Sequence, residues 1–241
     1  VDQLPRLQAP PVPAVSITAS DNNASETSPD LGGFLLERTG STASALTVYY
    51  TISGTAEAAD YTPLLIGSVT IPVGAANITL TITPIDDVID EANNETLILT
   101  LIDTAEYDLF QDVATVRIVD NDSPPVVNIS NATVVEGNAG QKNITFTVSL
   151  GGGAVSGRAV SVNYTTANDT AFAPGDYTST TGTATIIVGQ NSRTFNIPVI
   201  GATPDEADET FTVTISAPTN ATLGTTLGTG TIEDNDPTPN L

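Results

Sequence analysis

The feature that most constrains this sequence is an internal repeat with a period of roughly 115 residues. Residues 60–62 (Asp-Tyr-Thr) return as 176–178, and residues 120–122 (Asp-Asn-Asp) return as 234–236. Further matches keep the same order, and their spacing drifts by only a residue or two, as changes in loop length would produce. The chain of 241 residues is therefore predicted to hold two copies of one domain, each of about 110 residues.

Both copies show the alternation of apolar and polar residues that is typical of half-buried β-strands. Ile78, Leu80 and Ile82 alternate with threonines in the first copy, and Phe211 and Val213 do so in the second. These segments are short, rich in β-branched residues and separated by Gly, Asn, Asp and Pro. We therefore predict an all-β chain of two tandem immunoglobulin-like antiparallel β-sandwiches, with about seven strands in each.

Proline-rich segments mark the expected domain boundaries. Residues 1–14 form a Pro-rich lead-in, repeat 1 covers 15–122 and repeat 2 covers 127–236. The connector at 123–126 reads Ser-Pro-Pro-Val, and its two prolines fix two φ angles, so we expect a short and stiff linker. The tail at 237–241 resembles the start of another connector, which predicts neighbouring repeats in a longer chain.

The charge and composition exclude several classes of function. The chain has 28 acidic and 6 basic residues and a formal net charge of -22, so nucleic acid and anionic membrane surfaces would repel it. No segment approaches the ~20 apolar residues that a membrane-spanning helix needs, and we expect no direct membrane insertion. Because the chain has no Cys and no His, disulfides, thiolate zinc sites and Ser-His triads are excluded.

The acidic residues are concentrated in a few loops, chiefly 86–95, 205–209 and the closing Asp-Asn-Asp of each copy. Loops of a sandwich gather at its two ends, so acids from separate connections can meet in space. Two carboxylates at ~4 Å repel by roughly 4 kcal/mol at an effective dielectric of about 20. Solvated acidic loops are the simpler interpretation of one such run, but the recurrence of separate acidic elements in both copies favours a bound cation.

Calcium suits these donors better than other metals. Ca²⁺ takes about 6–8 oxygen ligands in flexible geometry, whereas Mg²⁺ demands tighter octahedral order and keeps more of its water. The absence of nitrogen and sulfur ligands disfavours zinc and copper. We therefore expect Ca²⁺ as the cofactor.

Three motifs make the chain resemble tandem Calx-beta domains. They are residues 54–56 (Gly-Thr-Ala) followed by 60–61 (Asp-Tyr), the acidic loop that ends in 95–97 (Glu-Thr-Leu), and the closing 120–122. In calcium-binding members of this family, ligands come from an early Glu, the Asp before Tyr, the acidic loop and the closing triplet. The resemblance therefore implies these metal ligands: Glu26, Asp60, Asp86, Asp87, Glu91, Asp120, Asp122, Glu136, Asp176, Glu206, Asp234 and Asp236.

Repeat 2 departs from the pattern at 201–202, where Gly-Ala replaces Asp86-Asp87 of repeat 1. We expect this loss to weaken or abolish one ion position in repeat 2, unless Asp205 and Asp208 compensate. Glu95 and its counterpart in repeat 2 match an acid that serves as a ligand or braces the loop, and both roles stay open.

The expected function is that of a calcium-binding structural or adhesive repeat of a secreted or cell-surface protein. Asp120 and Asp122 directly precede the connector, so a calcium ion there is expected to stiffen the interdomain junction. The alternative is a regulatory calcium-sensor module of a larger membrane protein. An enzyme is not expected, because the acids recur at loop ends and no Trp is present to form a sugar platform. Surface proteins and glycans stay open as adhesion partners.

Overall fold

A computed structural model describes residues 12–27, 30–92 and 95–238 of the chain. The contacts between residues divide it into two compact units. Unit 1 comprises Val1–Val88 and Ala92–Asn121, and unit 2 comprises Ile89–Glu91 and Asp122–Leu241. The predicted lead-in up to residue 11 and the last three residues of the predicted tail lie outside the described residues.

Unit 1 is a two-sheet sandwich. Its described strands are β1 (Ala14–Asp21), β2 (Asn23–Ser25), β3 (Gly32–Arg38), β4 (Leu46–Gly54), β5 (Tyr61–Thr62), β6 (Ser68–Ile71), β7 (Asn77–Pro84), β8 (Glu95–Leu101), β9 (Asp108–Gln111) and β10 (Val113–Val119). One sheet has the order β5-β7-β3-β1-β9 and the other β2-β10-β8-β4-β6. Neighbours are antiparallel except for the parallel pairs β1/β9 and β2/β10.

Unit 2 repeats this architecture. Its described strands are β11 (Val126–Ile129), β12 (Ala132–Val135), β13 (Gln141–Leu150), β14 (Val160–Asn168), β15 (Thr181–Ile186), β16 (Ser192–Ile200), β17 (Glu209–Thr219), β18 (Thr222–Leu223) and β19 (Leu227–Glu233). The sheets have the orders β16-β13-β11-β18 and β12-β19-β17-β14-β15. Strand for strand these are the orders of unit 1, except that a single bridge between Tyr177 and Val199 replaces the short strand β5.

The predicted fold class is confirmed: the chain is all-β and forms two tandem sandwiches. The number of described strands exceeds the expected seven in each unit because short segments of two to four residues, such as β2 and β5, pair at the sheet edges. Such segments are too short to show a readable alternation. No helix among the described residues is long and apolar enough to cross a membrane.

Each sandwich has its own apolar core, built from the alternating residues of facing sheets. In unit 1 Ile82 is fully buried, while Ile78 and Leu80 are partly buried against the core. In unit 2 the ring of Phe211 stacks on Tyr177 at 4.3 Å between ring centroids and meets Phe146 edge-on at 6.0 Å. Full burial of a side chain such as Phe or Ile stabilises by roughly 1.5–3 kcal/mol. Apolar packing therefore holds each sandwich together.

Candidate metal centre

The parallel pairing of β12 with β19 builds the acidic site of repeat 2. Glu136 follows β12, and Asp234 and Asp236 follow β19. Val135 lies opposite Glu233 in the parallel register, and the Glu136 backbone N–H donates to the Glu233 carbonyl at 3.1 Å. Because the two strands end side by side, their following residues leave the sheet together. One carboxylate oxygen from each of the three acids lies within 4.8 Å of the others.

Two of these three carboxylates are buried, and each has one oxygen that accepts no hydrogen bond from the described residues. Glu136 is 5% exposed and Asp236 is 9% exposed, and their Oε1 and Oδ2 atoms accept no hydrogen bond within the described part of the chain. Burial raises the pKa of Glu136; the Ala202 backbone N–H lowers it, and the charges of Glu206, Asp234 and Asp236 raise it. A buried acceptor without a partner costs about 1–3 kcal/mol, and more when it is charged. A cation that prefers oxygen ligands fits this set of carboxylates.

Asparagine side chains support the acids of repeat 2. Asn138 Nδ2 donates to Asp236 Oδ1, and the Gly137 backbone N–H donates to Asn235 Oδ1 at 2.9 Å. Polar contacts of this kind orient the ligands of a metal site. Sequence reasoning missed both asparagines, although each lies within two residues of a predicted ligand, and this proximity is the signal that identifies them.

Repeat 1 places its early Glu and its closing triplet in the same way. Glu26 follows β2, Asp120 and Asp122 follow β10, and β2 and β10 are parallel. The Glu26 N–H donates to the Val119 carbonyl at 3.2 Å. Carboxylate oxygens of Glu26 and Asp120 again lie within 4.8 Å of each other. The structure thus brings the early Glu and the first closing acid together in both repeats.

Repeat 1 has a second close approach of acids: carboxylate oxygens of Asp60 and Glu95 lie within 4.8 Å of each other. Asp60 is 7% exposed, and its Oδ2 accepts a hydrogen bond from the Glu57 backbone N–H. Sequence reasoning left Glu95 open as ligand or brace, and the structure places its carboxylate beside Asp60. The predicted ligands Asp86 and Asp87 are exposed and belong to neither group; Asp86 Oδ1 accepts from Asn121 Nδ2 at 2.9 Å.

The corresponding acids of repeat 2 are arranged differently. Glu209 is hydrogen-bonded to Asp176, and its pKa is raised to about 7 by burial, by that hydrogen bond and by the charges of Asp176, Glu206 and Glu136. Asp176 Oδ2 also accepts from the Phe172 N–H at 2.6 Å. In the described part of repeat 2, Asp176 and Glu206 belong to no group of three close carboxylates. The side chains of Glu209 and Asp176 are therefore in hydrogen-bond contact with each other.

The Gly-Ala replacement in repeat 2 closes the loop onto a neighbouring turn. The Gly201 N–H donates to the Gly140 carbonyl at 3.0 Å, and the Ala202 N–H bonds Glu136. In repeat 2 this loop therefore offers a backbone donor to the early Glu. Of the two acids considered as compensation, Asp205 is exposed, whereas Asp208 Oδ1 accepts from the Asp234 N–H at 3.1 Å.

An ion pair within unit 2 removes another acid from consideration as a ligand. Asp90 is buried, and Arg158 Nη2 donates to its Oδ1 at 2.6 Å and to its Oδ2 at 2.7 Å. Sequence reasoning counted Asp90 only as part of an acidic run. Arg158 is one of only six basic residues in the chain, and this rarity is the sequence signal that could have pointed to an ion pair. Such charge-assisted bonds satisfy the carboxylate without a metal.

The family model of the Calx-beta domain matches residues 12–122 and 120–236. The chain therefore belongs to the Calx-beta family and consists of two tandem Calx-beta domains, which confirms the resemblance seen in the sequence.

Several solved structures are similar to the chain. CBD12 from CALX1.2 is 18% identical over 91% of this chain and 99% of that chain, with a TM-score of 0.37. The calcium binding domain CBD12 of CALX1.1 is 20% identical over 84% of this chain and 80% of that one, also with a TM-score of 0.37. The Yersinia pseudotuberculosis adhesin InvE is 13% identical over 92% and 58%, with a TM-score of 0.32. No curated protein matches.

Proposed function

We propose that both repeats bind Ca²⁺ at one end of each sandwich, and that the chain is a calcium-stabilised structural or adhesive segment of a secreted or cell-surface protein. The observation that carries the proposal is the pair Glu136 and Asp236: each has one buried carboxylate oxygen that accepts no hydrogen bond from the described residues, and both lie beside Asp234. Calx-beta homologues bind Ca²⁺, and membership of the family supports the same ion here.

The chemistry of the donors supports Ca²⁺ over other metals. The group in repeat 2 offers three carboxylates, which leaves positions for water and backbone carbonyl oxygens in a shell of about 6–8 oxygens. Mg²⁺ is smaller and requires shorter, near-octahedral contacts. The chain has no His or Cys, so zinc and copper lack their preferred nitrogen and sulfur ligands.

The proposal includes a mechanical role at the connector. Asp120 and Asp122 immediately precede 123–126 with its two prolines. An ion held by these acids and Glu26 fixes the direction in which the chain leaves repeat 1, which restricts the junction. Small-angle scattering with and without Ca²⁺ tests this: we expect a narrower distribution of shapes with the ion. An unchanged distribution at saturating Ca²⁺ contradicts the stiffening.

The same proposal assigns the chain no catalytic role. Its partners are Ca²⁺ and neighbouring repeats, with surface proteins or glycans as adhesion targets and an extracellular or cell-surface location. The composition, poor in lysine and rich in Thr, Asn, Gly and Ala, supports this location.

Calorimetric titration of the metal-stripped chain with Ca²⁺ and Mg²⁺ tests the binding. We expect a Kd for Ca²⁺ of about 10⁻⁴–10⁻³ M, as in extracellular modules, and weaker binding of Mg²⁺. The Asp234→Asn/Asp236→Asn variant should lose the contribution of repeat 2. Asp103→Asn/Glu106→Gln removes the same charge from the β8–β9 turn, at the other end of β8 from Glu95, and should bind as the wild type does.

Absence of heat, together with a melting temperature that Ca²⁺ leaves unchanged, would refute calcium binding. Micromolar or tighter affinity would favour the regulatory sensor over the structural or adhesive segment.

A further inference from the structure

A pair of threonines joins two distant segments behind the acids of repeat 1. The Thr96 backbone N–H donates to Thr55 Oγ1 at 2.9 Å, and the Thr55 N–H donates to the Thr96 carbonyl at 2.9 Å. The two hydroxyl oxygens lie 3.4 Å apart. The Ala56 N–H adds a further bond to the Thr96 carbonyl at 3.1 Å. We call this pair and its counterpart in repeat 2 the threonine clamps.

Repeat 2 has the same contact between Thr170 and Thr210. The Thr210 N–H donates to Thr170 Oγ1 at 2.7 Å, the two hydroxyl oxygens lie 3.3 Å apart, and the Ala171 N–H donates to the Thr210 carbonyl at 2.8 Å. Thr210 Oγ1 also donates to Asp169 Oδ2 at 2.7 Å. The clamp recurs although a Gly precedes it in repeat 1 and an Asp precedes it in repeat 2, so the contact does not depend on that residue.

The threonines of each clamp lie on the same two segments as an Asp–Glu pair. Thr96 follows Glu95, and Thr55 precedes the turn in which the Asp60 side chain accepts from the Glu57 N–H. Carboxylate oxygens of Asp60 and Glu95 lie within 4.8 Å of each other. In repeat 2, Thr210 follows Glu209, which is hydrogen-bonded to Asp176 on the segment after Thr170.

The clamp opposes the electrostatic repulsion between the two acids that these segments carry. Ionised carboxylates at such distances repel each other, and the repulsion is largest before a cation binds. Residues 61–94 lie between Asp60 and Glu95 in the chain, so local connectivity does not hold the two acids together. The hydrogen bonds of the clamp join Thr96, the neighbour of Glu95, to Thr55 at the start of the segment that leads to Asp60.

We propose that Thr55 and Thr170 are positioning residues of the metal sites: their hydroxyl groups hold the Asp–Glu pair of each repeat in register for the ion. This inference rests on the proposed function, because it concerns the same calcium sites. Removal of the hydroxyl lets the segments separate, so the ion must then bring the two acids together. Loss of such supporting contacts lowers metal affinity by about 10–100-fold, and we expect the lower end because Thr55 is exposed.

The test uses the full chain with repeat 2 disabled by Asp234→Asn/Asp236→Asn, so that the heat of Ca²⁺ binding comes from repeat 1. We expect Thr55→Val to weaken Ca²⁺ affinity about tenfold and Thr55→Ser, which keeps the hydroxyl, to restore it. Thr47→Val is the matched control: it breaks a hydroxyl pair with Thr70 at 2.9 Å at the other end of β4 and should leave affinity unchanged.

The melting temperature of each metal-free variant separates positioning from folding. Equal Ca²⁺ affinity of Thr55→Val and Thr47→Val, or a lower melting temperature of Thr55→Val without a change in affinity, overturns the positioning role. Failure of the parent chain to bind Ca²⁺ overturns the proposed function itself, which is a different result from either of these.

Discussion

Gly201 lies so close to the carbonyl oxygen of Gly137 that a β-carbon on Gly201 would come within 2.1 Å of that oxygen. Gly137 follows the candidate ligand Glu136, and Gly201 stands where repeat 1 has Asp86. At the position where repeat 2 lacks this acid, the backbone is therefore in close contact with the turn next to the candidate ligand Glu136. Restoring the acid by substitution has to displace the turn that carries Glu136.

We predict that Gly201→Asp destabilises repeat 2 and adds no ion. Overpacking of this kind costs about 1–3 kcal/mol, here against backbone atoms that have little freedom to move. Urea denaturation of the metal-free chain should show the loss. Thr203→Asp adds the same charge at an exposed position nearby and is the control. Equal stability of the two variants would contradict the steric argument.

We predict that removing calcium lowers the melting temperature but leaves the β-structure intact, because the apolar cores hold each sandwich. At a free Ca²⁺ concentration of about 100 times Kd, binding stabilises by roughly 2.7 kcal/mol. For a domain of about 110 residues this corresponds to a rise of about 10 °C. Differential scanning calorimetry and far-ultraviolet circular dichroism, each with Ca²⁺ and with chelator, measure the two effects. Loss of the β-sheet signal in chelator at 25 °C would show that the fold depends on the ion.

The raised pKa of Glu209, about 7 against an ordinary value of 4.5, predicts a pH dependence of the metal-free chain. The folded state binds this proton more tightly than the unfolded state, so the stabilisation is complete below pH 4.5 and is lost as pH rises through about 7. Thermal unfolding in chelator should therefore show repeat 2 less stable at pH 8 than at pH 6.

Glu209→Gln should reduce that difference, because the amide does not titrate, while Asp205→Asn, an exposed acid of the same loop, should preserve it. A metal-free repeat 2 that is more stable at pH 8 than at pH 6 would contradict the raised pKa of Glu209.

We predict that Asn138→Ala weakens Ca²⁺ binding by repeat 2, because Asn138 Nδ2 donates to Asp236 Oδ1 and orients that carboxylate. Loss of a supporting contact of this kind reduces metal affinity by about tenfold or more. Calorimetry in a Glu26→Gln/Asp120→Asn background, which disables the equivalent group of repeat 1, compares Asn138→Ala with its parent. Asn191→Ala, in an exposed turn between β15 and β16, should bind as its parent does. Unchanged affinity in Asn138→Ala would remove Asn138 from the site.

Much of the fold follows from local patterns. The alternation in β17, where Phe211, Val213 and Ile215 are buried, is visible in any short window because strand side chains alternate faces. The hydroxyl of the buried Tyr107 shows the limit of such windows. It donates to the Ile102 carbonyl at 2.8 Å and accepts from the Tyr49 N–H at 3.1 Å, and the second contact crosses 58 residues.

The site was less predictable than the fold. The family resemblance placed Asp86 and Asp87 among the ligands; both are exposed in the structure, and their role as ligands stays a prediction. Glu95, which the sequence left undecided, lies beside Asp60. An acidic run shows that carboxylates are available, whereas the direction of each side chain depends on where its loop leaves the sheet.

By itself the sequence determined the two repeats, the sandwich class, the Calx-beta resemblance and the loops that carry acid, because periodicity and motif spacing are properties of the chain. Only the tertiary structure decided which acids meet. Glu136 and Asp234 are brought together by the parallel pairing of β12 with β19, and Gly201 is confined by the carbonyl of Gly137. Both contacts join segments tens of residues apart, and their geometry depends on sheet register and loop packing, which no local pattern encodes.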